Sequence, residues 1–219
     1  SDAQRAPLPS LAWRGTVYNG LPVDTYRFEP SPGAYLAFLG RISPEKGVLR
    51  AIEIAGRAGV PLKIAAKIGD SDRDYFTRVV TPQVRPPHVE FLGEVGDHEK
   101  QELLGGALAL VFPIAWPEPF GLVMIEALAC GTPVIAFRAG SVPEIVDHGV
   151  TGAICDDVES ALRGLDGLSA VSREASRSTF ERRFTAERMA RDYVDIYRRM
   201  DDVRRPHPAP RVVRRFARL

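Results

Sequence analysis

From residue 35 to about residue 155, short apolar runs alternate with amphipathic stretches, and no other feature limits the fold of this chain so strongly. The strand-like runs are Tyr35–Leu39, Leu62–Ala66, Val89–Leu92, Leu108–Phe112 and Pro133–Phe137, with a weaker one at Ala153–Cys155. Helical stretches fall between and after them, at Val48–Ala58, Asp72–Val84, His98–Ala107, Leu122–Ala129 and Val142–Val146. A parallel pair of strands needs a long crossover, usually a helix, so this repetition predicts parallel βαβ units. The strands are almost continuously apolar, as expected where helices cover both faces of a sheet. The predicted fold class is therefore α/β, with a single Rossmann-like, doubly wound parallel sheet. After Asp157 the chain reads as helical to about Met200, and its last helix (Ala186–Met200) opens after Thr185, a good N-cap.

The flanks differ in texture. Residues 1–32 hold five prolines and the turn dipeptide Asn19-Gly20, with only Thr16-Val17-Tyr18 resembling a strand, so they read as a lead-in segment laid across another element. The expected division is lead-in 1–32, sheet domain 33–184, C-terminal helix 185–203, then a Pro-rich spacer and basic tail over 204–219. Residues 160–219 carry 15 Lys and Arg against 8 Asp and Glu, while the whole chain of 219 residues has a net charge of only +1. That concentration at one end does not describe a nucleic-acid-binding face. A tail of this kind suits an anionic membrane surface, a partner domain or a solvated end.

No window approaches the roughly 18 apolar residues of a membrane helix and no signal-peptide pattern opens the chain, so a cytoplasmic location is the default expectation. The two cysteines, Cys130 and Cys155, are too few for a disulfide framework and lack zinc-site spacing; both read as buried small hydrophobes.

Ligands of an open parallel sheet sit beyond the carboxyl ends of its strands, which directs attention to the loops there. After the first strand, Gly40-Arg41-Ile42-Ser43-Pro44-Glu45-Lys46-Gly47 places two cations around a turn that opens a helix. After the fourth, Pro113 to Gly121 contains three prolines and Glu118, and Glu126 follows in the next helix. The free amides of Gly121 and Leu122 at that helix start suit an anion. Arg41 and Lys46 would complete the counter-charge of a diphosphate, and a carboxylate suits a vicinal diol. Together these groups describe a nucleotide-sugar site. Trp116 and Phe120 could stack on a sugar or base there, or serve as packing plugs.

Glu118-Pro-Phe-Gly-Leu-Val-Met-Ile-Glu126 and Ala127-Leu-Ala-Cys-Gly131-Thr-Pro133 together resemble the E-x7-E signature of the GT-B glycosyltransferases, in particular the large retaining family 4 (glycosyl transferases group 1). The Gly40–Gly47 loop, Phe91-Leu92-Gly93 and Gly140-Ser141-Val142-Pro143-Glu144-Ile145-Val146 match the same family in order and spacing, over about residues 15–200. The resemblance implies the C-terminal, donor-binding half of a GT-B fold. It further implies that Arg41 and Lys46 grip a donor diphosphate, Glu118 contacts the transferred hexose, Glu126 holds the ribose diol, and Gly121 and Leu122 meet sugar or phosphate. By the same likeness, the main chain of Val95 and the side chain of Lys100 would lie beside the base, although the run Asp97-His98-Glu99-Lys100 is also the pattern of a helix surface. Donors of the UDP, GDP or ADP type are expected, with no metal. The family's N-terminal acceptor domain, with its catalytic His and Gly-rich loop, has no counterpart here and would act in cis or trans. None of His88, His98, His148 or His207 is assigned to that role.

Other patterns are weaker. Asp70-Ser71-Asp72 contains the metal-binding D-x-D spacing, but Tyr75 and Thr81 stand where a Ca²⁺ loop needs Gly and Glu, so the acidic residues are expected to cap the helix that follows. The dinucleotide fingerprint is absent and Gly40…Gly47 lacks the P-loop ending. Two rival readings share the expected fold: a non-catalytic nucleotide-sugar binding module, and a GT-B sugar-nucleotide epimerase.

Overall fold

The computed structural model describes residues 1–204; the spacer and basic tail expected beyond residue 204 lie outside the described residues. Six parallel strands form one sheet: β1 (Leu36–Arg41), β2 (Leu62–Lys67), β3 (Val89–Gly93), β4 (Ala109–Phe112), β5 (Val134–Phe137) and β6 (Gly152–Cys155). The spatial order is β3-β2-β1-β4-β5-β6. The chain thus winds outward through β2 and β3, returns to place β4 beside β1, and winds out again on the other side. β1 and β4 pair in register, Leu36 opposite Ala109 and Ala37 opposite Leu110. Strand order reverses between them, and this is where a doubly wound sheet opens a crevice.

The helices are α1 (Val48–Ala58), α2 (Arg73–Tyr75), α3 (Asp97–Gly105), α4 (Leu122–Ala129), α5 (Val142–Ile145), α6 (Val158–Asp166), α7 (Arg173–Arg183) and α8 (Ala186–Arg204). In α1 the buried residues Val48, Ala51, Ile54 and Ala55 recur at helical spacing, so one stripe meets the sheet while Glu53 and Arg57 remain outside. One face of the sheet packs on α1 and α6 through Ile54, Ile64, Val111 and Ala161. The other packs on α3, α4 and the end of α7 through Leu104, Met124, Leu128, Phe180 and Phe184. β4 and β5 are buried along their whole length, which accounts for sequences with no polar position. Cys130 and Cys155 lie in these cores, and burial pushes their thiols up to about 12 and about 11.

Four local expectations are corrected. Thr16-Val17-Tyr18 forms no strand; the ties that hold the lead-in include a bridge between Leu21 and Thr185 and the Tyr18 ring against Phe120 and Phe184. Residues 72–84 do not form one α-helix. After α2 the winding loosens to a π-turn at Phe76–Val80 and tightens to a 3-10 turn at Thr81–Gln83. Pro82 has no N–H to continue the ladder, and the Thr81 hydroxyl donates to the Phe76 carbonyl at 3.0 Å. Asp72 stands at the start of α2 without capping it, its carboxylate lying 3.6 Å from Arg41, while Asp70 pairs with Arg73. The helical stretch after Asp157 is also divided, into α6, α7 and α8, with a 3-10 turn at Gly167–Ala170. Thr185 does cap α8, accepting from the Arg188 amide at 3.2 Å.

Candidate functional site

At the carboxyl ends of β1 and β4 lies a cavity of about 350 Å³, lined by Phe38 to Arg41, Lys46, Lys100, Phe112, Glu118, Gly121 to Val123 and Glu126. β1 delivers Arg41, the turn before α1 delivers Lys46, α3 delivers Lys100, and the loop after β4 together with α4 delivers the two glutamates. Three stretches of sequence, residues 38–46, Lys100 and residues 112–126, therefore meet where the strand order reverses.

Glu118 is only 8% exposed. Its Oε2 accepts from Lys46 Nζ at 2.6 Å and from Trp116 Nε1 at 2.9 Å. Lys46 Nζ also lies 4.8 Å from the centre of the Trp116 ring, within the range of a cation–π contact. Glu126 repeats the scheme one turn into α4, its Oε1 accepting from Lys100 Nζ at 3.1 Å and from the Tyr26 hydroxyl at 3.0 Å. Each carboxylate is thus held on one oxygen by a lysine and an aromatic donor. Its other oxygen takes no hydrogen bond from the described residues. Arg41 is half exposed at the rim and pairs with Glu45 at 2.9 Å.

The loop bearing Glu118 is fixed by the turn after β5. The Ser141 amide donates to the Glu118 carbonyl at 2.9 Å and the Ser141 hydroxyl to the Phe120 carbonyl at 2.7 Å. Gly140, at φ 51°, makes this approach possible, because a Cβ there would collide with the backbone N and O of Glu118. Gly140→Ala is expected to destabilise the fold by about 3 kcal/mol through left-handed strain and backbone displacement. Urea unfolding of the variant checks this, and a loss below about 1 kcal/mol would mean that the loop relaxes freely. On the other side Gly121, at φ 77°, ends the loop and starts α4.

Two expected site residues lie elsewhere. Phe120 is buried in the core with its ring 6.2 Å from those of Tyr18 and Phe184, so it does not line the cavity. Val95 does not line it either; it borders a neighbouring hollow between β3 and α3, with Leu92, Glu94 and Leu103. Conversely, Tyr26 carries no motif and comes from the lead-in segment.

The family model for glycosyl transferases group 1 matches residues 27–170. The chain belongs to that family. This group 1 chain is 34% identical over 192 residues to a glycogen synthase of Mycobacterium tuberculosis, covering 84% of the chain and 44% of the relative. It spans less than half the length of that curated relative. Among solved structures it is similar to AviGT4, a glycosyltransferase involved in avilamycin A biosynthesis, at 28% identity and a TM-score of 0.78, over 91% of this chain and 62% of that one. It also shares its fold with Anabaena Alr3699/HepE, solved in complex with UDP-glucose, at 21% identity and a TM-score of 0.70, over 86% and 57% of the two chains. Arg41, Lys46, Lys100, Glu118 and Glu126 all fall inside the matched stretch of this group 1 member, whereas Tyr26 falls one residue before it. No helix among the described residues is long and apolar enough to cross a membrane.

Proposed function

We propose that this chain binds the nucleotide-sugar donor of a retaining glycosyltransferase that moves a hexose to an acceptor hydroxyl, the acceptor domain being supplied in cis or trans. One observation carries the reading: two carboxylates, each held by a lysine, line a single cavity at the switch point of the sheet, beside the start of α4. In this reading Arg41, Lys46 and the first amides of α4 take the diphosphate, Glu126 takes the ribose diol and Glu118 orients the hexose. The C1–O bond to the diphosphate breaks with its electron pair leaving on the phosphate oxygen. The acceptor oxygen bonds to C1 from the same face and its proton passes to the departing phosphate. Catalysis is then positioning plus stabilisation of developing charge, with fixed cations doing what a metal does elsewhere. Group 1 membership, the glycogen synthase relative and the UDP-glucose complex of a protein with the same fold support this choice of ligand class.

Calorimetric titration with UDP, GDP and ADP and their glucose or mannose conjugates, in EDTA and again with Mg²⁺, tests the reading. Saturable binding of one diphosphate in EDTA is the expected result; no binding of any of them under either condition would overturn the donor assignment. Glu126→Ala is expected to weaken the preferred nucleoside diphosphate about tenfold, the value of one lost charge-assisted interaction with the diol. An unchanged affinity would remove Glu126 from the ribose. Glu118→Ala, placed in an enzyme with both domains, is expected to act mainly on turnover.

A further inference from the structure

The lead-in segment reads in sequence as a stretch laid across another element, yet it sets a hydroxyl against Glu126 of the candidate site. Tyr26 is 3% exposed, and its hydroxyl donates to Glu126 Oε1 at 3.0 Å. Three elements fix the backbone around it. Arg177 of α7 donates to the carbonyls of Tyr26 at 2.8 Å and Val23 at 3.2 Å, and ties both to the Ala129 carbonyl at the end of α4 at 2.7 Å. Gln101, next to Lys100 on α3, brackets Arg27 by accepting from its amide at 2.8 Å and donating to its carbonyl at 3.2 Å. The Glu29 amide donates to the Cys130 carbonyl at 3.0 Å. A side chain anchored this firmly has little freedom to follow Glu126; the carboxylate must instead conform to it.

We propose that Tyr26 is a positioning residue: together with Lys100 it pins one oxygen of Glu126, so that the other is aimed at the hydroxyls of the donor ribose. The inference rests on the ribose assignment above. It goes beyond it by making the lead-in part of the binding machinery, although Tyr26 and Arg177 both lie outside the stretch that the family model matches. Two donors on a single oxygen fix the plane of a carboxylate, whereas the lysine alone, a point charge on a flexible stem, leaves it free to rotate. The tyrosine also keeps its proton, since burial and the adjacent Glu126 carboxylate drive its acidity far below that of an ordinary phenol.

The test compares UDP with 2′-deoxy-UDP, and likewise the guanosine and adenosine pairs, by calorimetry on the wild-type chain, Tyr26→Phe, Glu126→Gln and the double variant. The wild type is expected to prefer the ribose form about tenfold, as one charge-assisted hydrogen bond would give. In Tyr26→Phe this preference is expected to fall to about threefold or less while the affinity for the deoxy form stays unchanged, and in the Glu126→Gln background the second change is expected to add nothing. Equal weakening of both ligands by Tyr26→Phe would assign the residue to packing and overturn the proposal. An undiminished preference in Tyr26→Phe, or an additive loss in the double variant, would overturn it too. A wild type that does not distinguish the two sugars would instead overturn the ribose assignment itself, and positioning with it.

Discussion

Replacing Arg173 by methionine is expected to cost about 3–5 kcal/mol of stability, the largest single effect we foresee on the fold. Arg173 is 5% exposed and its guanidinium sits near the amino ends of β4 and β5, donating to the carbonyls of Glu29 at 2.7 Å, Ala107 at 2.9 Å and Gly105 at 2.8 Å, and to the Thr132 hydroxyl at 2.8 Å. No carboxylate among the described residues pairs with it, and burial pulls its pKa below the usual value. Its worth lies in the groups it satisfies. One planar fork closes the lead-in, the end of α3, the approach to β4 and the turn before β5 around a single point. Methionine fills much of the volume and removes a buried charge, but it leaves three carbonyls without a donor, at about 1–3 kcal/mol each before relaxation. Arg173→Lys is expected to recover little, because one ammonium cannot reach four acceptors in different directions. Thermal melting checks both variants: a drop of about 10 °C is expected for methionine in a domain of this size. A shift of only a degree or two would mean that water takes over the vacated acceptors.

The second large effect concerns the candidate site. Lys46→Met is expected to weaken the preferred diphosphate about a hundredfold, roughly 2.7 kcal/mol, with free nucleoside as the control ligand that barely responds. The loss has two parts. A charge-assisted contact to phosphate disappears, and Glu118 is left with Trp116 as its remaining donor, so that an unneutralised carboxylate stands beside the incoming anion. Calorimetry at two salt concentrations reads both. An affinity within threefold of the wild type would place the diphosphate elsewhere in the cleft.

Much of the fold was legible because the determining interactions are local or periodic. The strands announce themselves as nearly continuous apolar runs, and β4 and β5 contain no polar residue because both of their faces are covered. The cap at Thr185 is similarly local. The break in residues 72–84 was visible in principle, since Pro82 stands inside the amphipathic pattern, but the pattern outweighed it. Of the residues that line the candidate cavity, Glu118, Glu126, Arg41 and Lys46 were singled out because the loops after parallel strands, and the helix starts they lead into, are the places to look. Lys100 was found by resemblance rather than by spacing. Phe120 shows the limit of adjacency: two residues from Glu118, it turns to the opposite side of the loop and packs on Phe184. Tyr26 and Arg173 show another. Their partners lie 100 and 144 residues away, Glu126 and the Glu29 carbonyl respectively, and no periodicity connects positions so far apart.

The lysines of the cleft come with their counter-ions already in place, and this shapes how an anion would arrive. Viewed from a distance, Lys46 and Lys100 are cancelled by Glu118 and Glu126, and Arg41 by Glu45. The cleft therefore projects only a weak field into solvent, and on the proposed reading its attraction for an anion develops at contact range, when a lysine changes partner. A small inorganic anion would have to break such a pair with nothing to occupy the released carboxylate, whereas a ligand carrying both phosphates and hydroxyls satisfies both halves at once. On the proposed reading, the ion pairs would act as a filter on composition, favouring molecules that combine the two kinds of group over charge presented alone.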